Sequence, residues 1–147
     1  MLPKFKEMER TYGFDEVALV PGDTTVNPDQ TDISFVLGDF TFSIPILASA
    51  MDAVVDPSFA IKFSQLGGLA VLNLEGIQTR YEDPCEVLDQ IAQTPESEVT
   101  PLLQKIYSQP IKEKLIGERI RAIKQAGGVC AVSITPANTK RLVLIAK

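Results

Sequence analysis

The run from Ser43 to Pro57 reads Ser-Ile-Pro-Ile-Leu-Ala-Ser-Ala-Met-Asp-Ala-Val-Val-Asp-Pro and holds the side chains best placed for chemistry. Ser49 carries a hydroxyl that donates and accepts, suited to a ribose or phosphate oxygen. Met51 carries a flexible thioether that can pack on a flat base. Asp52 can bond neighbouring backbone N–H groups and hold a turn. On the residues alone a plainer alternative stands beside these: Ser49 closes a turn and Met51 fills core. Asn73, Glu75 and Thr135 follow two later apolar runs and would face the same side. Thr135 is expected to cap the helix after it.

The chain has no histidine, so the usual general base and the commonest metal ligand are missing. Ser-His-Asp and Cys-His hydrolases cannot be built from it. Cys85, in Asp-Pro-Cys-Glu, falls in a first helical turn, where packing outweighs catalysis. Cys130 lies between apolar neighbours in an expected strand and reads as a small buried hydrophobe. Their spacing fits neither a disulfide framework nor a metal motif. No catalytic residue and no metal site is assigned within these residues.

Composition narrows the classes further. A length of 147 residues is one domain's worth, and 45% hydrophobic with 22% charged residues is ordinary for a globular protein. A net charge of −5 argues against a nucleic-acid backbone binder. Small nucleotides stay open, because helix N-termini hold phosphate without bulk positive charge. No apolar run approaches the ~20 residues of a membrane span. The first ten residues lack a signal-peptide core, so a cytoplasmic location is expected.

Around Ser49 the elements follow from pattern. Ile44 to Ala48 is nearly all apolar, as in a parallel strand covered on both faces. Asp56-Pro57 offers a capping oxygen and a first-turn proline. Phe59, Ala60, Phe63 and Leu66 recur at helical spacing until Gly67-Gly68, and Leu69 to Leu72 reads as a second buried strand. This is a β-α-β unit whose polar loop lies at the carboxyl end of its first strand, where parallel α/β folds place their sites. Upstream, residues 1–12 form an arm, Phe14 to Val20 an extended segment and Thr24 to Gln30 a turn-rich stretch. Ser34–Leu37 and Phe40–Phe42 form a hairpin about Gly38-Asp39. Downstream, Asp83-Pro84 and Thr100-Pro101 repeat the cap-then-proline device, with Cys85, Leu88, Ile91 and Ala92 on one helix face and Leu102, Leu103 and Ile106 on the next. A longer helix is predicted from Ile111 to Ala126, burying Leu115, Ile116, Ile120 and Ile123. Val129 to Ile134 is a third strand, and Thr135-Pro136 starts another helix.

The string Ser49-Ala-Met51-Asp52-Ala-Val with Leu66-Gly67-Gly68-Leu-Ala-Val, preceded by Thr11-Tyr12-Gly-Phe14-Asp15-Glu-Val-Ala-Leu19-Val-Pro21-Gly22, resembles the start of the IMP dehydrogenase / GMP reductase barrel. The likeness is close from Thr11 to Gly76 and looser from Lys112 to about Leu142. It implies an α/β fold, the N-terminal portion of a TIM (β/α)8 barrel holding about three of its eight strands. Residues 1–42 would be the arm and hairpin, the hairpin capping the barrel floor, and residues 43–147 the first three β/α units. The helical linker 77–110 is too short for the paired nucleotide-sensing CBS modules of typical IMP dehydrogenases, which points to a branch without them.

The resemblance makes Ser49 and Met51 purine-nucleotide contacts, with IMP, XMP or GMP as the ligand. It implies NAD as cofactor, or NADP in a GMP reductase, potassium in the intact enzyme, and a homo-oligomer. The intact enzyme would convert IMP to XMP through a cysteine nucleophile, or reduce GMP to IMP with NADPH. That cysteine belongs to a Gly-Ser-x-Cys-Thr loop; neither Cys85 nor Cys130 has this context. The expectation for these residues alone is a fragment or truncated product with little or no turnover. Two other readings stand against it: a non-catalytic barrel fragment associating through its open sheet edge, and an unrelated phosphate-binding barrel.

Overall fold

A computed structural model describes residues 9–146. Residues 1–8 of the expected arm lie outside the described residues. The chain divides into two compact units, 1–32 and 33–147.

In the described part of the first unit, a 3-10 turn at Pro28–Gln30 follows Asn27, where the Asn-Pro-Asp marker stands. Of the segment Phe14 to Val20 expected to be extended, the first residues turn instead, and Val17 to Val20 carry no regular secondary structure. Glu16 N–H donates to the Gly13 carbonyl at 3.0 Å, closing a turn, and Leu19 is fully exposed.

The second unit opens with the hairpin β1 (Phe35–Leu37) and β2 (Phe40–Phe42), so the hairpin lies in the same unit as the parallel sheet. The strands are antiparallel, with Phe35 opposite Phe42 and their rings stacked at 4.9 Å. Gly38 supplies the positive φ, +59°, that the tight turn requires. Next come β3 (Leu47–Ala48), α1 (Pro57–Gln65), β4 (Leu69–Asn73), α2 (Ile77–Arg80), α3 (Pro84–Gln93), α4 (Glu96–Ser108), α5 (Glu113–Gln125), β5 (Ala131–Ser133) and α6 (Thr139–Ala146). The three later strands are parallel in the order β3-β4-β5, and α1 packs on β4 and α5. The architecture is α/β with an open parallel sheet; the described strands do not close a barrel.

The main core surrounds β4. Leu72 and Leu74 meet Val55, Ala60, Ile116, Ile120, Ile123 and Leu142, all buried. Leu115, Ile116, Ile120 and Ile123 are buried as the helical spacing of α5 predicts, each worth about 1.5–3 kcal/mol out of water. A second cluster binds the linker helices: Ile77, Val87 and Ile106, with Leu88, Ile91 and Leu102 against them.

Several expectations need correcting. Ile46 and Leu47 are 53% and 51% exposed, where β3, among the described strands, pairs only with β4. Leu66 is 70% exposed at the C-cap of α1, past the face that α1 buries. On α3 the buried side chain is Val87, while Cys85 and Ala92 are exposed. Thr100-Pro101 starts no helix: α4 begins after Pro95, with Glu96 and Glu98 in its first turn, and carries Pro101 inside it. Acidic residues at the positive helix end outweigh the proline signal further along. The helix expected from Thr135-Pro136 starts at Thr139, after a turn in which Asn138 and Thr139 donate N–H bonds to the Thr135 carbonyl.

Candidate functional site

At the carboxyl end of β3 the chain turns sharply. Met51 N–H donates to the Ser49 carbonyl at 2.8 Å, and the Val54 and Val55 N–H groups donate to the Met51 carbonyl at 2.9 Å. Asp56 then caps α1, accepting Phe59 N–H at 2.6 Å. Buried Val55 anchors one end of this hinge, leaving Met51 at its tip, 56% exposed. Met51 does not fill core.

Asp52 is the hinge's buried counterweight, 9% exposed. Its Oδ2 accepts Ile77 N–H at 3.1 Å and the Tyr107 hydroxyl at 2.6 Å, while Asn73 Nδ2 lies 3.4 Å from Oδ1. The sequence assigned it to turn-holding, and it does hold the hinge. It reaches farther than expected, to the end of β4 and to linker helix α4. Asn73 in turn accepts Glu75 N–H at 3.0 Å.

A cleft of about 380 Å³ opens beside the hinge, lined by Ala50, Met51, Asp52, Ala53, Asn73, Ile77 and, from the linker helices, Leu88, Ile91, Leu103 and Tyr107. Its wall is apolar, with Asn73, Asp52 and Tyr107 as its polar points, a lining that suits a flat ring more than a phosphate. Ser49 is exposed at the end of β3 but does not line this cleft. The structure therefore brings Met51 and Asp52 to the cleft and leaves Ser49 beside it.

Glu75, beyond β4, bridges to the end of β5. It accepts the Thr135 N–H, the Thr135 hydroxyl at 3.0 Å and the Asn138 amide. Burial would raise its pKa, but these bonds and nearby Arg80 outweigh it and hold the carboxyl below its ordinary value. The Thr135 hydroxyl thus serves Glu75 and caps no helix. Arg80 Nε donates to the Glu75 carbonyl at 3.0 Å, its Nη1 to the Gln109 carbonyl, and its guanidinium lies 6.0 Å from the Tyr107 ring centre. Tyr107 itself is pushed up to about 12 by burial and by the Asp52 carboxylate.

The thiols stand apart from this cleft. Cys85 is exposed in the first turn of α3, and Cys130 is half-buried just before β5, at the amino end of the sheet, with its pKa raised by burial. Among the described residues no group of histidine, cysteine, aspartate and glutamate could hold a metal ion. Nor is any described helix long and apolar enough to cross a membrane.

Tyr107 was not foreseen. It lies 55 residues from Asp52, and nothing in either local pattern links them. The only hint was buried Ile106 beside it, which fixes that turn of α4 against the core.

Comparison with known proteins fits this geometry. An uncharacterized oxidoreductase of Mycolicibacterium smegmatis is 35% identical over 138 residues, covering 90% of this chain and 37% of that protein. An inosine-5'-monophosphate dehydrogenase of Methanocaldococcus jannaschii is 42% identical over 72 residues, 49% of this chain and 14% of that one. The crystal structure of an IMP dehydrogenase/GMP reductase-like protein from Corynebacterium glutamicum superposes with a TM-score of 0.85 at 27% identity, covering 96% of this chain and 39% of that chain. The chain thus spans 37% of the length of the first of these relatives. A model of the IMP dehydrogenase / GMP reductase domain matches residues 11–142, and the chain belongs to that family.

Proposed function

We propose that these residues supply part of the nucleotide site of a purine-mononucleotide oxidoreductase, in which Met51 packs on the base and the Ser49 hydroxyl bonds a ribose or phosphate oxygen. β3, β4 and β5 are then the first three strands of a (β/α)8 barrel. The observation carrying this reading is the exposure of Met51 on a cleft at the carboxyl end of a parallel sheet, where such folds bind ligands.

The reaction class is hydride exchange at the purine, IMP to XMP with NAD, or GMP to IMP with NADPH as the alternative. The nucleophile comes from outside the cleft described here, since neither cysteine lines it. The cleft offers no side-chain cation to a pyrophosphate, so nothing in its lining marks a nicotinamide dinucleotide. No contact to NAD, NADP or potassium is placed on these residues. What the chain itself does is hold the hinge and present Met51 to a ring.

Titration with IMP tests this, observed on protein with 13C-labelled methionine methyls. The Met51 methyl signal should shift saturably at millimolar nucleotide or below. Met51→Ala should abolish saturable binding without lowering stability, since the side chain is exposed. An unmoved Met51 signal rejects the nucleotide contact.

A further inference from the structure

Helix α4 sends one polar side chain to the hinge. The Tyr107 hydroxyl donates to Asp52 Oδ2 at 2.6 Å, and Asp52 is the residue after Met51. The other two donors to this carboxylate, Ile77 N–H and the Asn73 amide, both come from the β4 side. Without the hydroxyl, the carboxylate is held from one side only. Arg80 keeps the tyrosine in place: its guanidinium stands over the ring while its N–H groups bond the Glu75 and Gln109 carbonyls on either side. Tyr107 lines the same cleft as Met51.

We infer that Tyr107 is a positioning residue, acting through Asp52 to fix Met51 in the conformation that receives the nucleotide base. The part concerned with nucleotide rests on the function proposed above. The hydroxyl is the active feature. A phenol to carboxylate bond this short is charge-assisted, and the partly dry setting strengthens it. Because the donor comes from the linker, this one hydroxyl ties α4 to the hinge.

Tyr107→Phe isolates the idea, since it keeps the ring and removes only the donor. Ile106→Val is the control, loosening the same helix from its core without touching Asp52. Two readouts are taken on each variant. The first is ligand-free: the Met51 methyl shift and the hydrogen-exchange protection of Ile77 N–H. In Tyr107→Phe the methyl signal should move and Ile77 protection should fall about tenfold, while Ile106→Val leaves the methyl signal in place. The second is IMP affinity well below the unfolding temperature. It should weaken about fivefold to tenfold in Tyr107→Phe and stay within about twofold in Ile106→Val. An unmoved methyl signal in Tyr107→Phe, or equal affinity losses in the two variants, overturns the positioning role. Wild-type protein that fails to bind IMP overturns the nucleotide reading instead, and the ligand-free readout still decides whether Tyr107 sets the hinge.

Discussion

Asp52 shows how much of a hinge can rest on one carboxylate. Its oxygens also occupy the space above Gly76: a Cβ built there would lie 1.8 Å from Asp52 Oδ1. The Gly76 backbone, φ −97° and ψ −163°, is extended and open to any residue, so only the missing side chain explains glycine here. Gly76→Ala must therefore push the carboxylate off Ile77 N–H, stranding a buried donor at a cost of about 1–3 kcal/mol. Urea denaturation at neutral pH measures it; wild-type stability in this variant would mean the carboxylate is free to move. Met51 and Asp52 could be singled out in the sequence because a turn between an apolar run and an Asp-Pro cap is a local pattern. Tyr107 could not, because its meaning lies in a contact across the fold, and Ser49 was matched to the ligand by likeness while the cleft passes beside it.

At the scale of elements, local chemistry was readable where one residue decides the outcome. Asp56 and Asp83 both cap helices as their Asp-Pro pairs indicate, Asp83 accepting Cys85 N–H at 2.9 Å. The hairpin, the four buried positions of α5 and its end at Gly127 follow from pattern in the same way. Failures came where tertiary context decides. Ile46 and Leu47 look like the interior of a sheet but are exposed where β3, among the described strands, pairs only with β4, and α4 runs through a proline that the sequence marks as a beginning. Pro101 costs α4 a backbone donor, the one that would meet the Ser97 carbonyl four residues earlier. Replacing it with alanine restores the bond, partly offset by a freer unfolded chain. Pro101→Ala should stabilise the protein by about 1–2 kcal/mol in chemical denaturation. A loss of stability would show that α4 needs the proline's rigidity to place Tyr107.

For the molecule as a whole, the ends of the parallel strands are tied by two titrating groups shifted in opposite directions. Glu75, held below its ordinary value of 4.5, joins the end of β4 to Thr135 and Asn138; that contribution is complete above pH 4.5 and lost as pH falls through its lower folded value. Tyr107, raised from 10.0 to about 12, joins α4 to the hinge; its contribution is complete below pH 10 and lost as pH rises through about 12. The charged groups facing the phenol are Asp52, which opposes its ionisation, and Arg80, which favours it. Many lysines also lose charge in the alkaline window, so only a difference between proteins isolates the tyrosine. The stability gap between wild type and Tyr107→Phe, read from urea melts, should be flat from pH 7 to pH 10 and shrink steadily towards pH 12. A gap that keeps its size across that window would mean that the hydroxyl contributes no more than its packing. It would also mean that the hinge is held by Ile77 and Asn73 without help from the linker.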